Sequence, residues 1–233
     1  MHRSWRCVPL LPALYCVVIL AACSDKQGTV VIKPQFDDAL FFSEGLAIVK
    51  VGDKWGFIDK QGTVAIKPQF DYAESFSEGL AIVQVWDKWG YIDKQGAVVI
   101  NLQVDWEWGG QFSEGLAIVQ VGDKYGFIDK QGTVAIKPQF DGGSSFSDGL
   151  AHVKVGEKYG FIDKQGSVVI KLPQFDFAGP FSEGLAIVKG GGKWGYIDKR
   201  GIVVIKPQFD NAWPFSEGLA HVKVREKHGF IGK

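Results

Sequence analysis

The chain has 233 residues, with 26 Lys plus Arg against 26 Asp plus Glu, 46% apolar residues and 30 glycines. That apolar content supports a packed core, while the balanced charge lacks the basic excess that phosphate-backbone binding requires, so nucleic acid is not an expected partner. Abundant glycine beside a single methionine favours a turn-rich β protein over a helical one.

The first segment reads as a targeting signal. His2, Arg3 and Arg6 make a basic start, and residues 7–20 are almost wholly apolar. The run Leu20-Ala21-Ala22-Cys23 resembles the lipobox of bacterial lipoproteins, which implies a signal peptide over residues 1–22, cleavage before Cys23, and lipid attachment at Cys23. An ordinary signal peptide or an N-terminal membrane helix is the alternative, although the apolar run is shorter than the roughly 20 residues that span a bilayer. Cleavage removes Cys7 and Cys16 and leaves one cysteine, so no internal disulfide or cysteine metal site is expected. It also removes Arg3 and Arg6, giving a mature net charge of 24 − 26 = −2. Membrane attachment then rests on acyl chains, with no polybasic patch to help. Ser24 after the cysteine implies, by the same resemblance, outer-membrane sorting, so the expected location is the bacterial cell envelope.

From residue 25 onward the chain copies itself, and such repetition decides the fold class before local propensity does. The phenylalanines of F-S-E-G-L-A fall at Phe42, Phe76, Phe112, Phe146, Phe181 and Phe215, giving spacings of 34, 36, 34, 35 and 34. An aromatic-glycine pair keeps the same rhythm at Trp55, Trp89, Tyr125, Tyr159 and Trp194, with His228 closing the series. One domain over residues 23–233, built of six repeats of about 34 residues, accounts for the mature chain.

Within one copy, Leu46–Val51 and Lys54–Asp59 are short β-rich runs joined by Gly52-Asp53, a tight-hairpin pair. Asp59-Lys60-Gln61-Gly62 follows as a type I turn closed by a left-handed glycine, leading into a third strand over 63–66. Each copy is therefore expected to be a three-stranded meander. Residues 67–79 carry Pro68, which cannot donate to a ladder, and are expected to cross to the next unit.

The phrase Lys54-Trp55-Gly56-Phe57-Ile58-Asp59, with Pro68-Gln69-Phe70-Asp71 and Phe76-Ser77-Glu78-Gly79-Leu80-Ala81, resembles the bacterial WG-repeat proteins. The resemblance covers the whole mature chain and implies an all-β repeat architecture in a bacterial setting, without a single activity. Tyr125 and Tyr159 replace Trp, and Leu102 and Val104 stand where Pro and Phe are expected. The six units are expected to form a propeller-like ring, since a first strand over 28–32 and a last pair over 219–231 would complete one unit and remove both edges. An open β-solenoid-type array is the alternative, in keeping with the altered last copy at His228 and Gly232.

Chemistry-bearing residues mostly follow the repeat. Asp59, Asp93, Asp129, Asp163 and Asp198 each open a turn, where aspartate bonds nearby backbone. Glu44, Glu78, Glu114, Glu183 and Glu217, with Asp148, each precede a glycine. A catalytic pair should break the symmetry, and these do not. His152 and His221 fill a strand slot held elsewhere by Ile48, Ile82, Ile118 and Ile187, and no set of three or four converging metal ligands is visible. No enzyme activity and no cofactor are expected. The Trp-Gly aromatics are expected to pack between repeats. Binding is expected at positions that vary between copies: Tyr72, Trp106, Trp108, Phe177 and Trp213 in the connecting segments, and Trp86 in a hairpin turn. Exposed aromatics there would suit stacking on a sugar or peptide, although they could equally cover the ends of the core. The expected function is a lipid-anchored binding or scaffold protein whose partner is a protein, peptide or envelope glycan. A purely structural envelope component is the rival reading, and an enzyme with a site assembled across repeats is a third.

Overall fold

The computed structural model describes residues 30–86, 88–101 and 106–233, the side chains of residues 106 and 107 excepted. Every regular element among them is a β-strand, and the strands form six consecutive antiparallel sheets. The first comprises β1 (Asp38–Ser43), β2 (Leu46–Val51), β3 (Lys54–Asp59) and β4 (Val64–Phe70). The second comprises β5 (Tyr72–Ala73), β6 (Ala81–Val85), β7 (Lys88–Ile92) and β8 (Val98–Asn101). In the third are β9 (Trp106–Gly109), β10 (Leu116–Val121), β11 (Lys124–Asp129) and β12 (Val134–Phe140). The fourth holds β13 (Gly142–Gly143), β14 (Ala151–Val155), β15 (Lys158–Ile162) and β16 (Val168–Leu172). The fifth holds β17 (Phe177–Ser182), β18 (Leu185–Gly190), β19 (Lys193–Asp198) and β20 (Val203–Phe209). The last has three strands, β21 (Asn211–Ser216), β22 (Leu219–Val224) and β23 (Lys227–Gly232).

The three expected strands are present in the first five sheets and two of them in the last, and one further strand opens each of the six, because the supposed crossing segment pairs instead of merely linking. Its key is the Glu-Gly dipeptide. Ser43 pairs with Leu46 across Glu44 (φ 50°) and Gly45 (φ 92°), so the intervening residues make the doubly left-handed two-residue hairpin that matches strand twist. Pro68 lies inside β4, an outer strand of its sheet, where a missing N–H leaves no ladder bond unmade. Each turn-opening aspartate acts as expected: Asp59 Oδ1 accepts the N–H groups of Gln61 at 2.9 Å and Thr63 at 2.8 Å, and Asp93, Asp129, Asp163 and Asp198 repeat the pattern.

No sheet carries a core of its own. One face of each packs against the opposite face of the next, as in the cluster of Ile48, Phe57, Ile66 and Phe70 with Ala73, Phe76, Ala81 and Val83. The joint recurs at each boundary: Phe57 meets Phe76, Tyr91 meets Phe112, Phe127 meets Phe146 and Tyr196 meets Phe215 with ring centroids 5.0 Å apart, and Phe161 meets Phe181 at 4.6 Å. These rings are fully buried. The Trp-Gly aromatics, expected in the core, are only half-buried and lie at its margin, where Lys50 sits 5.5 Å from the Trp55 ring centre.

Substantial contacts between sheets run only from each sheet to its neighbour in sequence, and the arrangement is propeller-like. Residues 28 and 29 of the expected closing strand lie outside the described residues, and the last sheet has no fourth strand among the described ones. Ile32 packs with Phe36 against Ala47, Val49 and Ile58 of the first sheet.

Candidate binding grooves

The first, third and fifth sheets share a defect that the second and fourth lack. In the first, β3 and β4 pair at Phe57–Ile66 and next at Trp55–Phe70, so residues 67–69 bulge out. The bulge lies directly over the glycine of the Trp-Gly pair: a Cβ on Gly56 would stand 2.6 Å from the Pro68 nitrogen and 2.7 Å from the Ile66 oxygen. Pro138 covers Gly126 in the same way, at 2.6 Å. Only a residue without a side chain fits beneath such a bulge.

In the sequence of the two remaining four-stranded copies, whose spacing is 36 and 35 instead of 34, Leu102 stands in place of the proline and Leu172 is inserted ahead of Pro173, residue 102 lying outside the described residues. There the ladder runs on through the glycine, Gly90 with Asn101 and Gly160 with Lys171, and among the described residues no bulge covers it, only the Ile100 or Ile170 oxygen standing 2.8 or 2.7 Å from where a Cβ would be. A groove opens at each place. The one on the second sheet has about 460 Å³ and is lined by Val83, Val85, Trp86, Lys88, Trp89 and Asn101 among others. Its counterpart on the fourth sheet has about 350 Å³ and is lined by Val153, Val155, Lys158, Tyr159 and Lys171 with Pro173. Both have an aromatic floor, three valines and a lysine rim.

The expected site residues divide around these grooves. Trp86 lines the first, with its ring 82% exposed. It adopts φ 56°, where Gly52, Gly122 and Gly156 stand in other copies, and a non-glycine side chain there costs about 1 kcal/mol or more. The turn is held by Asp71, whose Oδ2 accepts the Trp86 N–H at 2.6 Å while Oδ1 pairs with Lys54. Those two hydrogen bonds, Lys54 first, hold the Asp71 carboxyl below its usual range. Tyr72 stands edge-on to Trp89 at 5.4 Å, and its hydroxyl donates to Glu74 at 2.8 Å. Burial, then Glu74, pushes this phenol up to about 12. Phe177 supports the second floor, 5.8 Å from Tyr159 and 5.4 Å from Trp194. Tyr72 and Phe177 are therefore buttresses behind the two floors.

Trp108 packs half-buried against the core between the third and fourth sheets, and Trp213 stacks on His221 at 4.1 Å in the last sheet, so neither joins Trp86. Trp106 lies in β9, its side chain outside the described residues; Cys23 and the signal segment lie outside them too. The sequence reading missed the grooves themselves, whose signal was the proline replaced by Leu102 in one longer copy and displaced to Pro173 in the other. It also missed the glutamates. Glu78 reaches across a boundary, accepting the Gly115 N–H at 3.0 Å and pairing with Lys130 at 3.1 Å. Partial burial pushes its carboxyl up, but these bonds outweigh it and hold the group below 4.5.

Among the described residues no group of three or more His, Cys, Asp or Glu is placed to hold a metal ion. His152 does occupy the isoleucine slot, against Tyr159 and Phe177 at 6.4 Å each, and its buried Nδ1 has no hydrogen-bond partner.

Six consecutive matches to the WG containing repeat cover residues 23–55, 55–89, 89–125, 125–159, 159–194 and 194–227. The chain belongs to that family. From the second to the fifth, each WG repeat runs from one aromatic-glycine pair to the next, so these boundaries fall within β3-type strands and each of the first five sheets draws on two repeats. Comparison with curated proteins finds no match. Among solved structures, Kluyveromyces lactis Hsv2 with loop 6CD replaced by a Gly-Ser linker is similar at 11% identity and TM-score 0.55, covering 77% of this chain and 70% of that one. Kluyveromyces marxianus Hsv2 is similar at 12% identity and TM-score 0.52, covering 77% and 69%. At such identity the likeness establishes the propeller-like fold of the WG repeats.

Burial holds the His152 imidazole down at about 4, against 6.5 for a free one. A lowered value means that the unfolded chain takes up the proton first, so its stability contribution is complete above pH 6.5 and is lost as pH falls toward 4. His152→Ile should raise stability at neutral pH by about 1 kcal/mol, since it removes the unpaired ring nitrogen, and should delay the acid loss until the carboxylates take up protons, Glu78 being held below its ordinary value by its bonds to Lys130 and Gly115. Thermal melts of both proteins between pH 7 and 4 check this. A variant that is less stable throughout would show that the imidazole is held by an interaction of its own.

Proposed function

We propose that the chain is a non-enzymatic, lipid-anchored envelope protein that binds an extended segment of a partner protein in the grooves of the second and fourth sheets. One observation carries this reading: the two grooves lie where the ladder runs on through the glycine and no proline bulge covers it among the described residues, and both present the same set of an aromatic floor, valine walls and a lysine rim. Pockets that recur with shared chemistry at symmetry-broken sites suit ligand binding, because an apolar cleft with a few polar groups is the usual form of a recognition site. The lysines Lys88 and Lys158 are exposed and favour an apolar segment that carries a carboxylate. The strained, exposed Trp86 supports a second reading in which the ligand is a glycan stacked on that ring, since backbone strain is retained mainly at functional positions.

The test is a binding titration against a panel of apolar peptides with and without acidic residues, beside soluble envelope glycan fragments. Binding of the acidic peptides, reduced at least about tenfold by the double variant Lys88→Glu/Lys158→Glu with no change in melting temperature, is expected. Binding confined to the glycans and abolished by Trp86→Ser would support the second reading. An affinity for neither would leave the grooves without a ligand of this class and overturn the proposal.

Anchoring rests on Leu20-Ala21-Ala22-Cys23. Labelled fatty acid should appear on the protein, and Cys23→Ala should lose the label and release the chain from the membrane fraction. Unchanged retention without label would contradict it.

A further inference from the structure

The joint between sheets has four parts, each present at five boundaries. The aromatic pair described above is the first. The second is a hydroxyl bond from Ser43 to the Phe76 carbonyl at 2.7 Å, repeated by Ser77, Ser113, Ser147 and Ser182. The third is an N–H from glycine to an acid of the preceding sheet, as from Gly79 to Glu44 at 3.0 Å. The fourth is a lysine on that same acid, such as Lys94 on Glu44 at 3.1 Å, ending with Lys233 on Glu183 at 3.0 Å.

The two outer faces of the array carry the separate halves of a sixth joint. On the last sheet, Phe230 occupies the position of the buried Phe57 but is 72% exposed, and Ser216 and Glu217 are exposed beside it. On the first sheet, Phe42 occupies the position of the buried Phe76 but is 43% exposed, with Gly45 and Lys60 in the remaining positions. A groove of about 280 Å³ lies there, lined by Ile32, Phe36, Ala39, Phe42, Ala47 and Ile58. Those residues match Ile66, Phe70, Ala73, Phe76, Ala81 and Ile92 of the first joint, so what the groove lacks is the counterpart of Ile48 and Phe57. His221 and Phe230 of the last sheet are that counterpart.

We propose that the last sheet of one copy docks on the first sheet of a second copy, head to tail. Phe230 and His221 fill the groove, Glu217 meets the Gly45 N–H and Lys60, and Ser216 reaches the Phe42 carbonyl. Residues 32–36 of the second copy then complete the three-stranded sheet as its fourth strand, following the Phe57–Ile66 register, by strand addition. The occupant is a second copy because its outer face presents the missing half of a joint that this chain already makes five times. Such a contact uses two different patches, so it grows into chains or closes into a ring of copies.

The experiment is sedimentation of the full chain in mild detergent over a range of concentrations. The parent should self-associate reversibly. Phe42→Asp and Phe230→Asp should each remain monomeric, yet an equimolar mixture should form a dimer and nothing larger, since each variant keeps one intact face. A variant that loses its fold is covered by the exposed pair: Lys60→Glu or Glu217→Lys alone should weaken association several-fold, and both changes in one chain should restore it. A parent that stays monomeric at every concentration, as an array closed on itself would, overturns the proposal. A mixture of the two aspartate variants that remains monomeric while both are folded overturns it as well.

Discussion

The joint between consecutive sheets is the constraint on which the rest of this molecule depends. A meander of short strands exposes two apolar faces, and neither is covered until a neighbour arrives. Phe57 is fully buried because Phe76 sits 5.0 Å away on the next sheet, and burying such a ring contributes about 2 to 3 kcal/mol that an isolated sheet would lack. The polar part gives the apolar part its register. One acid per sheet collects a glycine N–H and a lysine from the following repeat, which fixes how far one sheet is offset along the next. Holding that acid where it can reach across requires a left-handed backbone, with Glu44, Glu78, Glu114, Asp148, Glu183 and Glu217 all between φ 50° and 56°. The strain recurs in every copy because each of these residues shapes its own hairpin, and five of them also clamp the next sheet.

The proposed binding function follows from where this regularity is relaxed. Proline in the fourth strand forces a bulge, the bulge covers the glycine of the aromatic-glycine pair, and the glycine is required because nothing larger fits. Where Leu172 is inserted ahead of Pro173 the ladder runs on through Gly160, as it does through Gly90 with Asn101. Among the described residues no proline nitrogen therefore stands over either glycine, and only the Ile100 or Ile170 oxygen would meet a Cβ there, at 2.8 and 2.7 Å. The scaffold thus tolerates a cleft without losing its joint, because the buried rings belong to the next residue of the same strand, Tyr91 and Phe161, whose side chain takes the opposite face. A repeat array can therefore acquire binding sites at single copies while neighbouring copies keep the fold.

The six-fold repeat, the all-β class and the strand pairs Leu46–Val51 and Lys54–Asp59 were legible in the sequence, since phenylalanine spacing and turn residues report them directly. The turn role of Asp59 and the strand slot of His152 were legible for the same reason. The first strand of each sheet was hidden, because a Glu-Gly pair lacks the Asn-Gly or Asp-Gly form by which such hairpins are usually recognised. The grooves were hidden as well. They go with a proline replaced in one copy and displaced by one residue in the other, where the ladder runs on through the glycine, which local propensity does not register. Trp108 illustrates the limit of reasoning from variability: its position varies between copies, yet it packs on the core, whereas Trp86 varies and is exposed.

Amide hydrogen exchange at six equivalent glycines tests the account of the joint most directly. Gly79, Gly115, Gly149, Gly184 and Gly218 donate to the acid of the preceding sheet, while Gly45 has no preceding sheet and no such acceptor among the described residues. In dilute, monomeric protein the five should exchange at least about tenfold more slowly than Gly45, because a bonded amide exchanges only when its joint opens. Equal rates at all six would contradict the account, whether the five proved as labile as Gly45 or Gly45 as protected as the five.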